Sequence, residues 1–338
     1  MRRNSDKPIM IGYIGISAPC LQSPKETLEF IERKGKKMRI ASIDIGTNTI
    51  LLLIAEIEGE KLEPLFEVET IVRLGEGVHK NGILLKEAMN RGLQTLTQYL
   101  ERCQAMEAQK IFAAGTSALR EAKNSDDFLR MIKDRLDLSI EIISGEEEAQ
   151  LSFLAVARDL KELKKSILVV DVGGGSTEFI LGKGERIEQW VSLPLGSVRF
   201  TEQFLLSDPV REKEWEQMER KIEELLVNIP HSQEPLSMVA VGGTATTLAS
   251  VEQGLEEFIP EKIHHFLLKK EGLKNQLLLY RSKTVEERKK IPGLPPNRAD
   301  VVLAGGAILY RAMEELNCPS VLVSCHGIRY GLLYKRLN

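Results

Sequence analysis

Two segments of the 338-residue chain place an acid at the end of an apolar run and follow it at once with glycine and hydroxyl residues. The first runs Ile43-Asp44-Ile45-Gly46-Thr47-Asn48-Thr49, the second Val170-Asp171-Val172-Gly173-Gly174-Gly175-Ser176-Thr177-Glu178. A second apolar run follows each, so each reads as a strand, a tight turn and a returning strand. Glycine lets a backbone approach an anion closely, and successive N–H groups in such a turn can form a nest for phosphate oxygens. Asp44 and Asp171 then stand where a carboxylate can hold Mg²⁺ against those oxygens. Ordinary β-turns use the same residue types. The matching order of the two segments points instead to a duplicated fold that grips phosphate with both halves.

Four further groups can do chemistry. Gly115-Thr116-Ser117 followed by Arg120 sets two hydroxyls at a turn and a guanidinium one helical turn on. That suits phosphate oxygens, and it equally suits an N-cap with a surface arginine. Glu146, Glu147 and Glu148 open a helix, where the dipole alone favours acids. A phosphoanhydride hydrolase needs one carboxylate to position or deprotonate water, and residue types do not choose among the three. Glu178 can share a metal with Asp171 or face solvent. Gly242-Gly243-Thr244 opens a helix after a strand, which makes either an anion site or a tight turn.

The elements that must carry these groups alternate along the chain. Apolar spacing predicts a helix over about 85–106, strands at 111–114 and 139–143, and, after Ser144, a helix starting in the Glu146–Glu148 run with Leu151, Leu154 and Ala155 inward. A meander of three strands follows from Ile167, then a charged helix over about 209–228, a strand at 238–241, a helix over 298–316, a strand at 320–323 and a last helix from Ile328. The lobes are expected to join near residues 156–166.

Composition fits a soluble globular protein of two domains: 43% hydrophobic, 28% charged, net charge −3. The overall charge gives nucleic-acid binding no support, and no run reaches the ~18 apolar residues of a membrane span. Residues 262–290 are locally basic, either a polyanion track or a solvated helical face. Four scattered cysteines without a C-x-x-C pair fit a reducing cytoplasm. Residues 1–37 are broken by Gly12, Gly15 and Pro19 and read as an extension outside the core, which starts near Met38.

Taken in order, these fragments resemble the exopolyphosphatase / guanosine pentaphosphate phosphohydrolase family. So do Leu193-Pro194-Leu195-Gly196-Ser197-Val198-Arg199, Arg298-Ala299-Asp300 and Gly327-Ile328-Arg329-Tyr330-Gly331. The resemblance covers about Met38 to Lys335 and implies an α/β fold. Two actin-like, ribonuclease H-like lobes are expected: 38–160, joined by the C-terminal helix 326–338, and 161–325, with the active site in a cleft between them. It puts the catalytic glutamate on Glu148 and the metal ligands on Asp44, Asp171 and Glu178. Phosphates would lie on Gly46, Thr47, Asn48, Thr116, Ser117, Arg120, Gly173, Gly174, Gly175, Ser176, Thr177, Gly243 and Thr244. The implied reaction removes the terminal phosphate of linear polyphosphate with water and Mg²⁺, and guanosine pentaphosphate is the alternative substrate. A cytoplasmic enzyme is expected, without nucleic-acid or membrane partners and with a homodimer left open.

The chain departs from the family pattern at Gln150, where arginine is frequent, and at Cys325, where aspartate is frequent. Leu51 stands where members acting on the nucleotide often carry a basic residue, which tilts the reading toward polyphosphate. An ATP-dependent phosphotransferase of the same superfamily and an actin-like interaction protein are the rival readings. The first would need an adenosine pocket that the segments around Gly242 do not resemble. The second would have no use for Glu148 beside the Arg120 cluster.

Overall fold

The computed structural model describes residues 10–12, 37–163, 165–232 and 234–336. They form two units, one of 37–159 with 326–336 and one of 160–325 with 10–12. Strand β1 (Met10–Gly12) belongs to the second.

The first unit is built on an antiparallel meander of β2 (Met38–Ile45), β3 (Thr49–Glu58) and β4 (Lys61–Ile71). Helices α1 (Val78–Asn81) and α2 (Lys86–Ala105) follow, then β5 (Lys110–Gly115), α3 (Ser117–Glu121), α4 (Ser125–Leu136), β6 (Ile140–Ile142) and α5 (Gly145–Asp159). The sheet order is β4-β3-β2-β5-β6, with β5 parallel to β2 and β6 parallel to β5. Because side chains alternate across a strand, β3 serves two cores. Ile50, Leu52 and Ile54 pack with Leu96, Tyr99 and Cys103 of α2 and Phe128 and Ile132 of α4. Leu53, Ala55 and Ile57 point the other way, toward Ala155 of α5. Strand β4 lacks this pattern. It is a largely exposed edge strand that carries Pro64, which an edge tolerates.

The second unit repeats the plan. Strands β7 (Ser166–Val172), β8 (Thr177–Lys183) and β9 (Arg186–Leu193) form the meander. Helices α6 (Ser197–Phe204) and α7 (Glu212–Leu226) come next. Strand β10 (Leu236–Val241) runs parallel to β7, and helices α8 (Gly242–Glu252) and α9 (Pro260–Ile263) follow it. Strand β11 (Leu267–Lys269), helices α10 (Lys270–Arg281), α11 (Val285–Arg288) and α12 (Val302–Glu315), and strand β12 (Ser320–Val323) complete the set. The order is β1-β9-β8-β7-β10-β12-β11. Both sheets thus share one pattern: three antiparallel strands in a meander, with two parallel strands added beside the first. This is the ribonuclease H-like order of actin-like lobes, and it occurs twice. Every residue of β7 is buried, as a central strand covered on both faces requires.

The chain then returns to the first unit as α13 (Ile328–Lys335). Tyr330 and Leu333 fill the Ile40–Leu53–Ala155 cluster, and Ser42 Oγ donates to the Arg329 carbonyl at 2.7 Å. Helices α13 and α5 approach so closely at Gly331 that a Cβ there would lie 2.1 Å from the Leu151 oxygen.

Three expectations are amended. The segment 1–37 is not wholly outside the sheet: Met10–Gly12 pairs antiparallel with β9, Met10 opposite Ser192, because β9 is otherwise an open edge with unpaired backbone groups. Apart from Lys37, the rest of that extension lies outside the described residues. The helix expected over 298–316 is divided, with a 3₁₀ turn at Pro296–Arg298 and α12 starting at Val302, since Pro295 and Pro296 fix the turn. The basic stretch 262–290 is not one surface. Arg288 is buried, donating from Nε to the Tyr280 carbonyl at 2.7 Å, and Arg281 pairs with Glu212 and stacks over Trp215.

Candidate functional site

In the first unit the polar candidates gather where β2, β5 and β6 end. Asp44 sits opposite Ala114 and Ile45 opposite Gly115, and the Thr116 amide donates to the Ile45 carbonyl at 3.1 Å. The loops Gly46–Thr49 and Thr116–Arg120 are therefore neighbours at the carboxyl ends of parallel strands, the usual place for ligands in α/β sheets. Gly46 N donates to Thr49 O at 2.9 Å and closes the turn. The Thr47 carbonyl accepts from Gly75 N, and the Asn48 carbonyl from Val72 N and Arg73 N. Among the described residues, the Thr47 and Asn48 amides meet no protein acceptor. The carboxamide of Asn48 is buried with neither its nitrogen nor its oxygen partnered. Leaving both ends of a buried amide unsatisfied is costly, so the loop is built for a polar occupant.

The structure separates the three glutamates, which residue types leave equivalent. Glu146 is exposed and accepts from Gln150. Glu147 forms a capping box with Ser144: its backbone N–H donates to Ser144 Oγ at 3.1 Å, while its carboxylate accepts from Ser144 N. Glu148 alone is buried, and Arg120 Nη1 donates to its Oε2 at 2.6 Å and to the Ile143 carbonyl at 3.0 Å. Burial pushes the Glu148 carboxyl above its ordinary range, and the Arg120 guanidinium opposes that shift by charge and hydrogen bond. Arg120→Ala is therefore expected to move the acid limb of the pH–kcat/KM profile upward, since Glu148 then stays protonated to higher pH. An unmoved limb, measured over the full profile, would exclude Glu148 as the titrating base. Thr116 and Ser117 are both buried here, with Ser117 Oγ donating to Glu121 at 3.2 Å.

In the second unit the same turn recurs: Gly173 N donates to Ser176 O at 3.0 Å. Asp171 ends β7 directly opposite Glu178 on β8, and both carboxylates are buried. Like charges facing each other across a strand pair are unfavourable, and a hard cation held by oxygen ligands relieves that. Glu178 also accepts from Ser192 Oγ at 2.7 Å. These residues fit a Mg²⁺ site. Asp44 faces Leu51 across its own hairpin, so the first turn offers no second carboxylate there.

Helix α8 begins against Asp171: a Cβ on Gly242 would lie 2.7 Å from its Oδ1, and Gly242 has φ +84°. In this unit two predicted phosphate hydroxyls are engaged within the fold, as that of Ser117 is in the first. Thr177 Oγ1 donates to the Leu195 carbonyl and Thr244 Oγ1 to the Val172 carbonyl. Gly243 leaves room for the Arg298 guanidinium, which a Cβ would meet at 2.1 Å. The residue-by-residue reading missed Ser197 and Arg199 of α6, which hold the Gly173–Gly175 loop. Its only trace of them was the Leu193–Arg199 fragment, to which no role attached.

The model of the Ppx/GppA phosphatase family matches residues 53–338. The chain belongs to the Ppx/GppA phosphatase family. It is 34% identical over 313 residues to exopolyphosphatase 2 of Mycobacterium tuberculosis, covering 87% of this chain and 97% of that protein. It is 35% identical over 317 residues to a bifunctional 3-dehydroquinate synthase/phosphatase of Fusobacterium nucleatum. That match covers 88% of this chain but only 46% of the bifunctional protein, so this chain spans about half of that relative. The crystal structure of the Aquifex aeolicus member of the Ppx/GppA family superimposes with a TM-score of 0.76 at 34% identity, over 89% of this chain and 98% of that one. The two-lobed α/β fold is thus the fold of this family.

Proposed function

We propose that this Ppx/GppA phosphatase is an exopolyphosphatase that removes the terminal phosphate of linear polyphosphate. The observation that carries the reading is Glu148: a buried carboxylate, held by Arg120, at the strand ends beside a loop whose amides and Asn48 side chain await a polar ligand. The similarity to an exopolyphosphatase over nearly its whole length supports the same substrate class.

In this mechanism Glu148 accepts a proton from water as the water oxygen bonds to the terminal phosphorus and the bridging P–O bond breaks. Orthophosphate and a chain one unit shorter result. Arg120 orients the carboxylate and lowers its proton affinity toward the working range. In the first unit the Thr47 and Asn48 amides, with the Thr116 hydroxyl, would bind phosphate oxygens, and in the second unit the amides of Gly174, Gly175 and Ser176 would do the same. Within the second unit Asp171 and Glu178 would hold Mg²⁺, and within the first Asp44 stands at the equivalent position of its own hairpin. When bound, the metal offsets charge on the transferred phosphoryl group.

The deciding experiment measures orthophosphate release from long-chain polyphosphate, guanosine pentaphosphate and ATP in parallel, with and without Mg²⁺. Polyphosphate is expected to be the best substrate, with release abolished by EDTA and restored by Mg²⁺. Guanosine pentaphosphate as the preferred substrate would assign the family's other activity, and Leu51 argues against it. ATP turnover only in the presence of an acceptor would assign a phosphotransferase. The working setting in this proposal is the cytoplasm. Among the described residues no helix is long and apolar enough to cross a membrane, and Cys103, Cys318 and Cys325 are free thiols.

A further inference from the structure

Both phosphate loops are held from the side of their carbonyls. In the second unit the first turn of α6 faces the Gly173–Gly175 loop with five donors, among them Ser197 Oγ, which reaches the Gly173 carbonyl at 3.3 Å. Ser197 N donates to the Gly173 carbonyl at 2.9 Å, and Val198 N and Arg199 N both donate to Gly174 at 3.0 Å. Arg199 Nε donates to Gly175 at 2.7 Å. Three consecutive carbonyls are thus drawn to one side, while the amides of Gly174, Gly175 and Ser176 meet no protein acceptor among the described residues. The first unit repeats the device with other parts. Residues 72–75 take the Thr47 and Asn48 carbonyls, and Arg91 of α2 fixes that segment, donating from Nε to Val72 O at 2.8 Å and from Nη2 to Arg73 O and to Glu76.

We propose that Arg199 is a positioning residue that sets the peptide planes of the Gly173–Ser176 loop through its Nε–H bond to the Gly175 carbonyl, so that the loop amides face the phosphate. It acts by donating to the loop's own backbone, and its positive charge is not the feature required. The parallel in the first unit is the Nε bond: Arg91 also donates from Nε to a backbone carbonyl, that of Val72, beside its pairing with Glu76. The inference rests on the loop being a phosphate site, as proposed above.

Side-chain length supplies a clean test. Glutamine carries its Nε2 the same number of bonds from the backbone as arginine carries Nε, so Arg199→Gln keeps the donor and removes the charge. Arg199→Met places a methyl at that position and removes both. Two quantities are read for each variant: kcat and KM for polyphosphate, and the rise in melting temperature produced by inorganic phosphate. Arg199→Gln is expected to stay within about threefold of wild type in kcat/KM, whereas Arg199→Met loses on the order of a hundredfold, the cost of a displaced binding group. Arg199→Met is also expected to lose most of the phosphate-induced thermal shift while melting normally without phosphate. Equal impairment of the two variants would show that charge, not the Nε donor, is what matters. Wild-type behaviour of Arg199→Met would overturn any role. If wild-type protein released no phosphate from polyphosphate, the activity reading would fail, yet the thermal shift would still rank the variants. If phosphate gave wild type no shift, the brace would fall with the loop it serves.

Discussion

Glu148→Gln is expected to reduce phosphate release from polyphosphate by roughly 10²–10⁴-fold, the usual contribution of a positioned general base. Binding should persist, because the amide keeps the shape of the carboxylate and retains an oxygen for Arg120, which lies 2.6 Å away in the native site. The substitution is informative because Glu146 and Glu147 provide internal controls. Glu147→Gln weakens a capping box and a 3.5 Å contact with Lys335, so a modest loss of stability is expected with turnover largely kept. Glu146→Gln touches an exposed position. Polyphosphate turnover by the three variants, with binding measured separately by equilibrium dialysis, separates catalysis from helix capping. Near-normal turnover by Glu148→Gln would remove the carboxylate from the mechanism.

The second large effect is expected from a residue with no side chain. Gly196→Ala should lower kcat/KM for polyphosphate by on the order of a hundredfold or more while the protein still folds. Its φ of −136° suits any residue, so backbone strain is not the cause. The cause is contact: a Cβ there would lie 2.2 Å from the Gly174 oxygen and 2.5 Å from the Gly174 and Gly175 carbonyl carbons. These are backbone atoms of the loop proposed to bind phosphate, so relief requires the loop or the start of α6 to shift. Overpacking of this kind commonly costs about 1–3 kcal/mol in stability, far less than the effect expected on catalysis. Kinetics together with a melting curve test this. An active Gly196→Ala enzyme with unchanged KM would show that the loop tolerates displacement.

Much of this was legible in the sequence because chemistry and pattern coincided. The two hairpins announced themselves through buried strands ending in Asp-x-Gly, and the duplicated strand order follows the duplicated motif. What sequence could not do was choose among three adjacent acids. All three suit a helix start, and only the tertiary approach of Arg120 from another helix separates them. Strand β4 was harder to read for a different reason: its alternation is short, Phe66 and Val68 against Glu67 and Glu69, and Pro64 and Leu65 interrupt the pattern before it. The role of α6 was hidden most deeply. Most of its donors to the loop are backbone amides, which every residue possesses, so residue identity carries almost no signal of what the helix does. Thr177 and Thr244 show the converse. Their hydroxyls looked like ligands for phosphate, and the fold uses both to tie its own segments together.

The return of the C-terminal helix to the first unit has a consequence for how the protein is made. The cluster beneath β2 and β3 takes Tyr330 and Leu333 from a segment made only after residues 160–325. Residues 160–325 carry their own continuous core and can close during synthesis. The first unit is therefore completed only after the core of the second has been made. Until residues 326–336 emerge, Ile40, Leu53 and Ala55 lack part of their cover, and the helix bearing Glu148 lacks the neighbour that packs against Leu151. The nascent chain keeps that apolar face open while residues 160–325 are made, the condition under which newly made proteins most need chaperones.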